Sequence, residues 1–402
     1  MGRDDLTPRR VAYEVVRRTF EQDAYADRAF PALAEPLDPR GRRQAMRLAY
    51  GAVQRVRTVD HAIETLAGRK PGRLQANLRN ALRVSGYEVF FSDAVPSRAA
   101  VSEGVELARA AAGPRVAGLA NAVLRRLAEA GREWVEGLPL PLRHSYPDWV
   151  MDEWVEMLGP DAAEELARRQ NEPPELSVRV NTLRAADVDL GVATHGDPEL
   201  PEARVIDGQF DVASSRELRE GLIWPQSRSS MQGARLLAPE PGMRVLDLCA
   251  APGGKSGQLA ALMEDRGELV CVEQHPGRAE ELRRTLDRFG VTSARVEVAD
   301  ALDFAEGGFD RILLDPPCSG LGVLAGRPDA RWRKTPEDAR ALADLQRRML
   351  EHARGLLAEG GRLVYSVCTI RRDEAEGVLP GGRYLLPHVE GSDGFYIAST
   401  SR

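Results

Sequence analysis

The sequence predicts two fold classes in one chain: an all-α N-terminal domain, then a Rossmann-like, doubly wound α/β domain, with a small α+β adapter between them. Three observations carry this. Apolar residues recur at spacings of three and four through the first 130 residues, with no alternating stretch. From Gly242 onward, short β-branched or Leu-rich runs alternate with helical stretches, the pattern of a parallel sheet covered on both faces. And 402 residues are more than one small domain holds. The expected boundaries are 1–130 for the helical domain, 131–235 for connector and adapter, and 236–402 for the α/β domain.

Taken in order, helices are expected over 11–20, 42–67, 74–91, 97–111 and 118–130, with breaks where Gly, Pro and Asp cluster in LDPRG, GRKPGR, SDAVPS and AAGPR. A stretch bearing Trp134, Pro139, Pro141, Pro147 and Trp149 then leads into the helix WVMDEWVEMLG. ELSVRVNTLR reads as a strand and turn, and 185–224 as a mixed region of short strands. The strands of the last domain are MRVLDL, ELVCVE, ARVEVA, DRILLD, GRLVYSV and GFYIAST, and a ligand should lie beyond the carboxyl ends of the parallel ones.

Composition narrows the function. With 43% hydrophobic and 29% charged residues, the chain can bury a core and stay soluble. No apolar run approaches the roughly 18 residues of a membrane span, and MGRDDLTPRR has no apolar segment behind it, so a cytoplasmic location is expected. The four cysteines fall between Cys249 and Cys368 with no CxxC pair, and the six histidines are scattered singly. Neither a metal site nor a disulfide framework is indicated, which leaves reduced thiols available for chemistry. The net charge of −6 hides an asymmetry: residues 1–130 hold 22 Lys and Arg against 15 Asp and Glu. A basic first third points to a polyanion, although an Arg-rich solvated surface reads the same way, and charge alone does not decide.

The run VLDLCAAPGGKSGQLAALM puts a glycine turn between a strand and its helix, where Gly253 and Gly254 let backbone N–H groups approach a ligand. It lacks GxGxxG spacing, and Cys249 stands where a P-loop needs its first glycine. An adenosyl-amino-acid cofactor is the third reading, and the strand ends favour it. Glu273 is placed to accept ribose hydroxyls, Asp300 to accept from an adenine amino group, and Asp247 to orient an ammonium.

Two further strands end in Asp315-Pro316-Pro317-Cys318-Ser319-Gly320 and Ser366-Val367-Cys368-Thr369. Strands joined by a helical crossover are usually neighbours, so the two thiols should meet at one rim beside the cofactor loop. Cytosine C5 is a poor nucleophile until a thiolate adds at C6, and after methylation the C5 proton must leave for the thiol to be eliminated. One cysteine forms the adduct and another group helps resolve it. A carboxyl such as Asp315 could donate a proton to ring N3 if its surroundings raise its pKa. Cys271, in mid-strand, reads as a small buried hydrophobe, and Cys249 partly so.

LDLCAAPGGKS, DPPCSGLG, RPDARWRK and VYSVCTI together resemble the Sun-type (RsmB-like) RNA cytosine-5 methyltransferases. RRQAMRLAYGAVQR and GLANAVLRR resemble the NusB-like domain fused to the bacterial small-subunit rRNA members, and RVNTLR and PQSRSSM the segment before the cofactor domain. The resemblance implies S-adenosylmethionine as cofactor and RNA, above all small-subunit rRNA, as partner. It implies Cys368 as nucleophile, Cys318 as the cysteine assisting release, and Cys249, Ala250, Ala251, Pro252, Gly253, Gly254 and Lys255 as the cofactor loop, with Glu273, Asp300 and Asp315 as further cofactor contacts. Arg327, Arg331 and Lys334, in the loop after Cys318, are candidates for RNA phosphates or a plain solvated basic loop. Val367 departs from the Thr common in the family. Only 33 residues follow Thr369, with Ala375 where Asn is usual, so a shortened C-terminal passage is expected.

Rival readings are a tRNA cytosine-5 methyltransferase, an amino-group methyltransferase and a non-catalytic NusB-like assembly factor. Asp-Pro-Pro also occurs in the second, but Cys318 takes the place of its base-stacking aromatic. The intact loop and both cysteines argue against the third.

Overall fold

The computed structural model describes residues 7–93 and 95–402. They divide into two compact units, one of residues 1–173 with Leu324–Arg333, the other of 174–323 with 334–402. The stretch expected as connector and adapter is therefore shared: 131–173 cluster with the first unit and 174–235 with the second.

The first unit is helical. Pro8–Glu21, Ala26–Ala34, Pro39–Gln54, Val56–Ala67, Ala76–Phe91, Ser97–Ala112 and Ala117–Glu136 enclose one apolar core, and three shorter helices follow from Leu140 to Arg169. Local chemistry sets the starts: Thr7 and Asp38 side chains accept from Arg10 and Gly41 amides, each ahead of a proline at the first helical position. Two departures from the expected helices stand out. Ala26–Ala34 was not foreseen; it is nine residues long and carries Pro31 inside it, where a proline ordinarily breaks a helix. The helix expected over 42–67 is broken at Arg55. Both groups of the missing Arg57 N–H to Val53 C=O bond are taken elsewhere: the amide donates to Ser145 Oγ (3.1 Å) and the carbonyl accepts from the Trp332 indole (2.8 Å).

The second unit holds two sheets. Strands β1 (Ser177–Val180), β2 (Thr194–Asp197), β3 (Leu200–Ile206) and β4 (Ile223–Pro225) form an antiparallel sheet in the order β2-β3-β1-β4. The larger sheet contains β5 (Arg244–Leu248), β6 (Glu268–Glu273), β7 (Ala294–Val298), β8 (Phe309–Leu314), β9 (Leu357–Val367), β10 (Arg383–Leu385) and β11 (Phe395–Ser401). Its order is β10-β11-β9-β8-β5-β6-β7, parallel from β9 to β7 and antiparallel at β11 and β10.

Alternation along the central strands gives the sheet two buried faces. Leu246, Leu248, Val270, Val272, Ile312, Leu314, Leu363 and Tyr365 pack with Met349, Leu350 and Ala353 of the helix Pro336–Leu356. Val245, Leu269, Cys271, Leu313 and Val364 face the opposite layer, which includes helices Gly254–Leu262 and Pro276–Phe289. Cys271 is thus a core side chain, as its mid-strand position predicts. The crossover direction reverses between β5 and β8, the point at which open α/β sheets bind their ligands beyond the carboxyl ends of the strands. Beyond Thr369 the passage is short: β10 has three residues and the helix Pro387–Glu390 a single turn, yet β11 pairs with β9 along Tyr396↔Val367 to Ser401↔Arg362. Among the described residues no helix is long and apolar enough to cross a membrane, and no group of three His, Cys, Asp or Glu could hold a metal ion.

Candidate active site

The loop after β5 is set by backbone geometry. Cys249 and Gly253 both lie at positive φ (67° and 105°), and Gly253 opens the helix Gly254–Leu262. A side chain at Gly253 would also press on Leu282 and Thr285, so the turn requires glycine on two counts. The small sheet supports this helix from behind: Arg179, 1% exposed, donates to Gly254 O (3.2 Å) and Gln226 Oε1 (2.9 Å), and Gln226 in turn donates to Gln258 (3.0 Å).

Four carboxylates line the same rim. Asp247, within β5, accepts from Ser256 Oγ (2.6 Å) through one oxygen, while its other oxygen is buried with no partner. Burial pushes its carboxyl up to about 7, with the Asp315 charge adding to the shift and the Ser256 hydrogen bond opposing it. Glu273 closes β6; it accepts from the His275 amide (2.9 Å) and lies 3.5 Å from Arg278 Nη1. Arg278 also donates to Ala251 O (2.9 Å), tying the loop after β5 to that acid. Asp300 falls two residues beyond β7 rather than at its end, and accepts from Gln274 and the Leu302 amide, both at 2.9 Å. Asp315 follows β8 and accepts from Lys255 Nζ (2.7 Å). Burial works against the Lys255 ammonium, but pairing with Asp315 and the charge of Cys368 more than offset it, so the lysine is held protonated. An orphaned buried carboxylate oxygen beside three further acids suits a cationic adenosyl amino acid.

The two cysteines meet as the strand order implies. Cys318 Sγ and Cys368 Sγ are 3.3 Å apart, within hydrogen-bonding reach and not bonded covalently. The neighbouring sulfur and burial, with Glu374 and Asp315 adding negative charge, push the Cys318 thiol well above its usual value. Cys318 therefore keeps its proton, and either sulfur can donate to the other. Cys249, also part-exposed, is raised by burial and by the surrounding carboxylates, which suits a loop residue and not a nucleophile.

Sequence reasoning missed the layer beneath the thiols. Glu374 is fully buried and accepts from the Ser319 amide (2.8 Å), Gln346 Nε2 (3.1 Å) and Thr369 Oγ1 (3.4 Å). Nothing in RRDEAEG distinguishes this one of its acids from those left in solvent.

The loop after Cys318 departs from expectation. Arg331 is fully buried in the first unit, its guanidinium 4.0 Å from the Tyr146 ring centroid and donating to Ser145 O (3.1 Å) and Asn171 Oδ1 (2.9 Å). It is a structural cation and has no face for a phosphate. Arg327 is exposed, 3.7 Å from Asp27, and Lys334 is half-buried.

Two family models match the chain: 16S rRNA methyltransferase RsmB/F over residues 234–381, and the NusB family over residues 6–129. The ribosomal RNA small subunit methyltransferase B of Thermus thermophilus is 36% identical over 96% of this chain and 88% of its own length. A Synechocystis protein named "Probable ribosomal RNA small subunit methyltransferase B" is 32% identical over 99% of this chain and all of its own. The solved structure of PH0851 superposes with a TM-score of 0.80 at 26% identity, covering 98% of this chain and 99% of that one.

Proposed function

The chain belongs to the RsmB/F family of S-adenosylmethionine-dependent 16S rRNA methyltransferases and carries a NusB domain, and from that footing we propose that it methylates carbon 5 of a cytosine in small-subunit rRNA through a covalent adduct at Cys368. The observation that carries this reading is the pair of thiols at 3.3 Å, beside an acid held by a half-buried lysine. An amino-group methyltransferase has no use for two such sulfurs.

The cofactor, held by residues 249–255 with Asp247, Glu273, Asp300 and Asp315, would supply an electrophilic methyl group. The protein's part is to make C5 nucleophilic and then to restore the ring. Cys368 adds to C6 as a thiolate, with the Lys255 ammonium within electrostatic range of its sulfur. Asp315, fixed by Lys255, faces the base edge and stabilises the N3 proton that the adduct requires. Once C5 carries the methyl group its proton must go. Cys318 serves as the base: with Cys368 converted to a thioether, the largest cause holding the Cys318 proton is gone, so that proton passes to solvent and the resulting thiolate takes the proton from C5. The C5–H electrons then form the C5=C6 bond, and the C6–S bond breaks to release Cys368 as a thiolate. The target base must leave its stack to reach these groups. The basic stretch 1–130 adds salt-dependent affinity for rRNA, and the location is the cytoplasm, where thiols stay reduced.

The test is to incubate the protein with S-adenosylmethionine and rRNA carrying 5-fluorocytosine. Fluorine cannot leave as the proton does, so a conjugate resisting denaturation should accumulate, map to Cys368 and be absent in Cys368→Ala. A methylated RNA that yields no conjugate would refute the covalent mechanism.

A further inference from the structure

We propose that Glu374 is the positioning residue of the thiol pair: its buried carboxylate fixes the Cys318 loop against the Cys368 loop, and so sets where the two sulfurs stand. The proposal rests on the cytosine-5 reading for its catalytic consequence, though not for its geometry.

Glu374 touches the residue immediately after each cysteine. One oxygen accepts from the backbone amide of Ser319 (2.8 Å) and from Gln346 Nε2 (3.1 Å), and the other accepts from Thr369 Oγ1 (3.4 Å). The two loops are also stitched directly, Ser319 Oγ to Thr369 Oγ1 at 2.7 Å. Gln346 extends the same hold by donating to Pro317 O (2.8 Å), one residue before Cys318. Tyr365 fixes the acid from below, its hydroxyl donating to Glu374 O at 2.6 Å and lying 3.0 Å from Gln346 Oε1. Every donor here is buried or nearly so, and hydrogen bonds to a charged acceptor are among the stronger ones. The loops come from different strands, β8 and β9, and 50 residues separate the two thiols in sequence. A single charged acceptor spanning both is what keeps their separation from drifting. Glu374 touches neither sulfur, and on this reading no substrate.

The charge leaves a second trace. Cys368, Asp315 and Glu374 all bear on the Cys318 thiol, with Tyr365 behind it and Lys255 beyond Asp315. Removing the Glu374 charge should therefore make Cys318 more acidic, an effect a purely structural role does not require.

The test compares Glu374→Gln, Glu374→Ala and Thr369→Val with wild type. Gln keeps an acceptor for the Ser319 amide without the charge, Ala keeps neither, and Val removes the Thr369 arm together with its direct bond to Ser319 Oγ. Misplacing a reacting group by about 1 Å costs on the order of 100-fold. The expected order of kcat for methylation is wild type, then Gln, then Ala, with Ala down by about that factor. The KM for S-adenosylmethionine should stay within about twofold, since the cofactor loop is untouched. Peptide-resolved alkylation should show the Cys318 pH midpoint shifted downward in Glu374→Gln. Variants that turn over like wild type, or that lose cofactor affinity in step with kcat, overturn the proposal. Should Glu374→Ala fail to fold, Glu374→Gln and Thr369→Val still decide it. A wild type that forms no 5-fluorocytosine conjugate defeats the cytosine-5 reading alone; an unmoved Cys318 midpoint together with unchanged kcat in Glu374→Gln defeats this one alone.

Discussion

Replacing Asp247 with Asn should strengthen the fold and weaken cofactor binding at the same pH. The carboxyl is 1% exposed, ionises at about 3.8 when free, and is pushed up to about 7 by burial in the folded chain. The folded state therefore holds this proton more tightly than the unfolded state. Stability contributed at this site is highest below pH 4, falls as pH rises from about 4 to 7, and levels off above. A shift of about three units at 1.36 kcal/mol each is on the order of 4 kcal/mol. Asn keeps an acceptor for Ser256 and carries no charge, so it removes that cost. Urea unfolding of the cofactor-free protein should show Asp247→Asn more stable than wild type by a few kcal/mol at pH 8, with the gap closing toward pH 4. Binding should run the other way. If the ionised carboxylate holds the cofactor ammonium, wild-type affinity for S-adenosylmethionine loses about tenfold per pH unit below 7, and the variant binds weakly without that slope. Equal stability of the two proteins at pH 8, or a wild-type affinity flat from pH 8 to 5.5, would refute the reasoning.

Two other outcomes follow from the site and its surroundings. Cys318→Ala should leave adduct formation intact and stall release, so that a denaturation-resistant conjugate accumulates on unmodified rRNA; a gel showing no conjugate in an active preparation would remove Cys318 from that role. Arg331→Leu should cost about 2–4 kcal/mol of stability in thermal or urea unfolding, as expected when the buried acceptors Ser145 O and Asn171 Oδ1 lose their donor, while the salt dependence of RNA binding stays at the wild-type slope. A slope reduced by about one unit would instead mark Arg331 as a phosphate contact.

The parts of this molecule that were legible in the sequence are those decided locally. Strand periodicity located all six strands that were sought in the large sheet, because a covered parallel sheet demands continuous apolar runs. The meeting of Cys318 and Cys368 was legible too, since β8 and β9 are joined by a helix and pair side by side. What escaped depends on partners far away in the chain. At the break at Arg55, Ser145 and Trp332 take the two halves of one helical hydrogen bond, and no propensity at Arg55 announces it. Arg331 sits in a run of basic residues that reads as either a phosphate contact or a solvated loop, and only Tyr146, Ser145 and Asn171 reveal it as a core cation. Glu374 escaped for the converse reason: burial of one acid among several is a property of the folded loop. Three-residue β10 is too short to show a period.

The assignment of Leu324–Arg333 to the helical unit has a consequence for how such a protein can be cut or recombined. Asp329 accepts from the Ala26 amide, Trp332 donates to Val53, and Arg331 lies buried on Tyr146, so this decapeptide is part of the helical unit's interior although its sequence interrupts the catalytic one. The polypeptide passes from one unit to the other three times, and no single scission separates them. A fragment beginning near residue 174 would carry an orphan indole and an orphan guanidinium shaped for a core that is gone. Exchange of the helical unit between relatives would have to bring a matching decapeptide with it, so the two stretches are expected to travel as a pair through any functional chimaera.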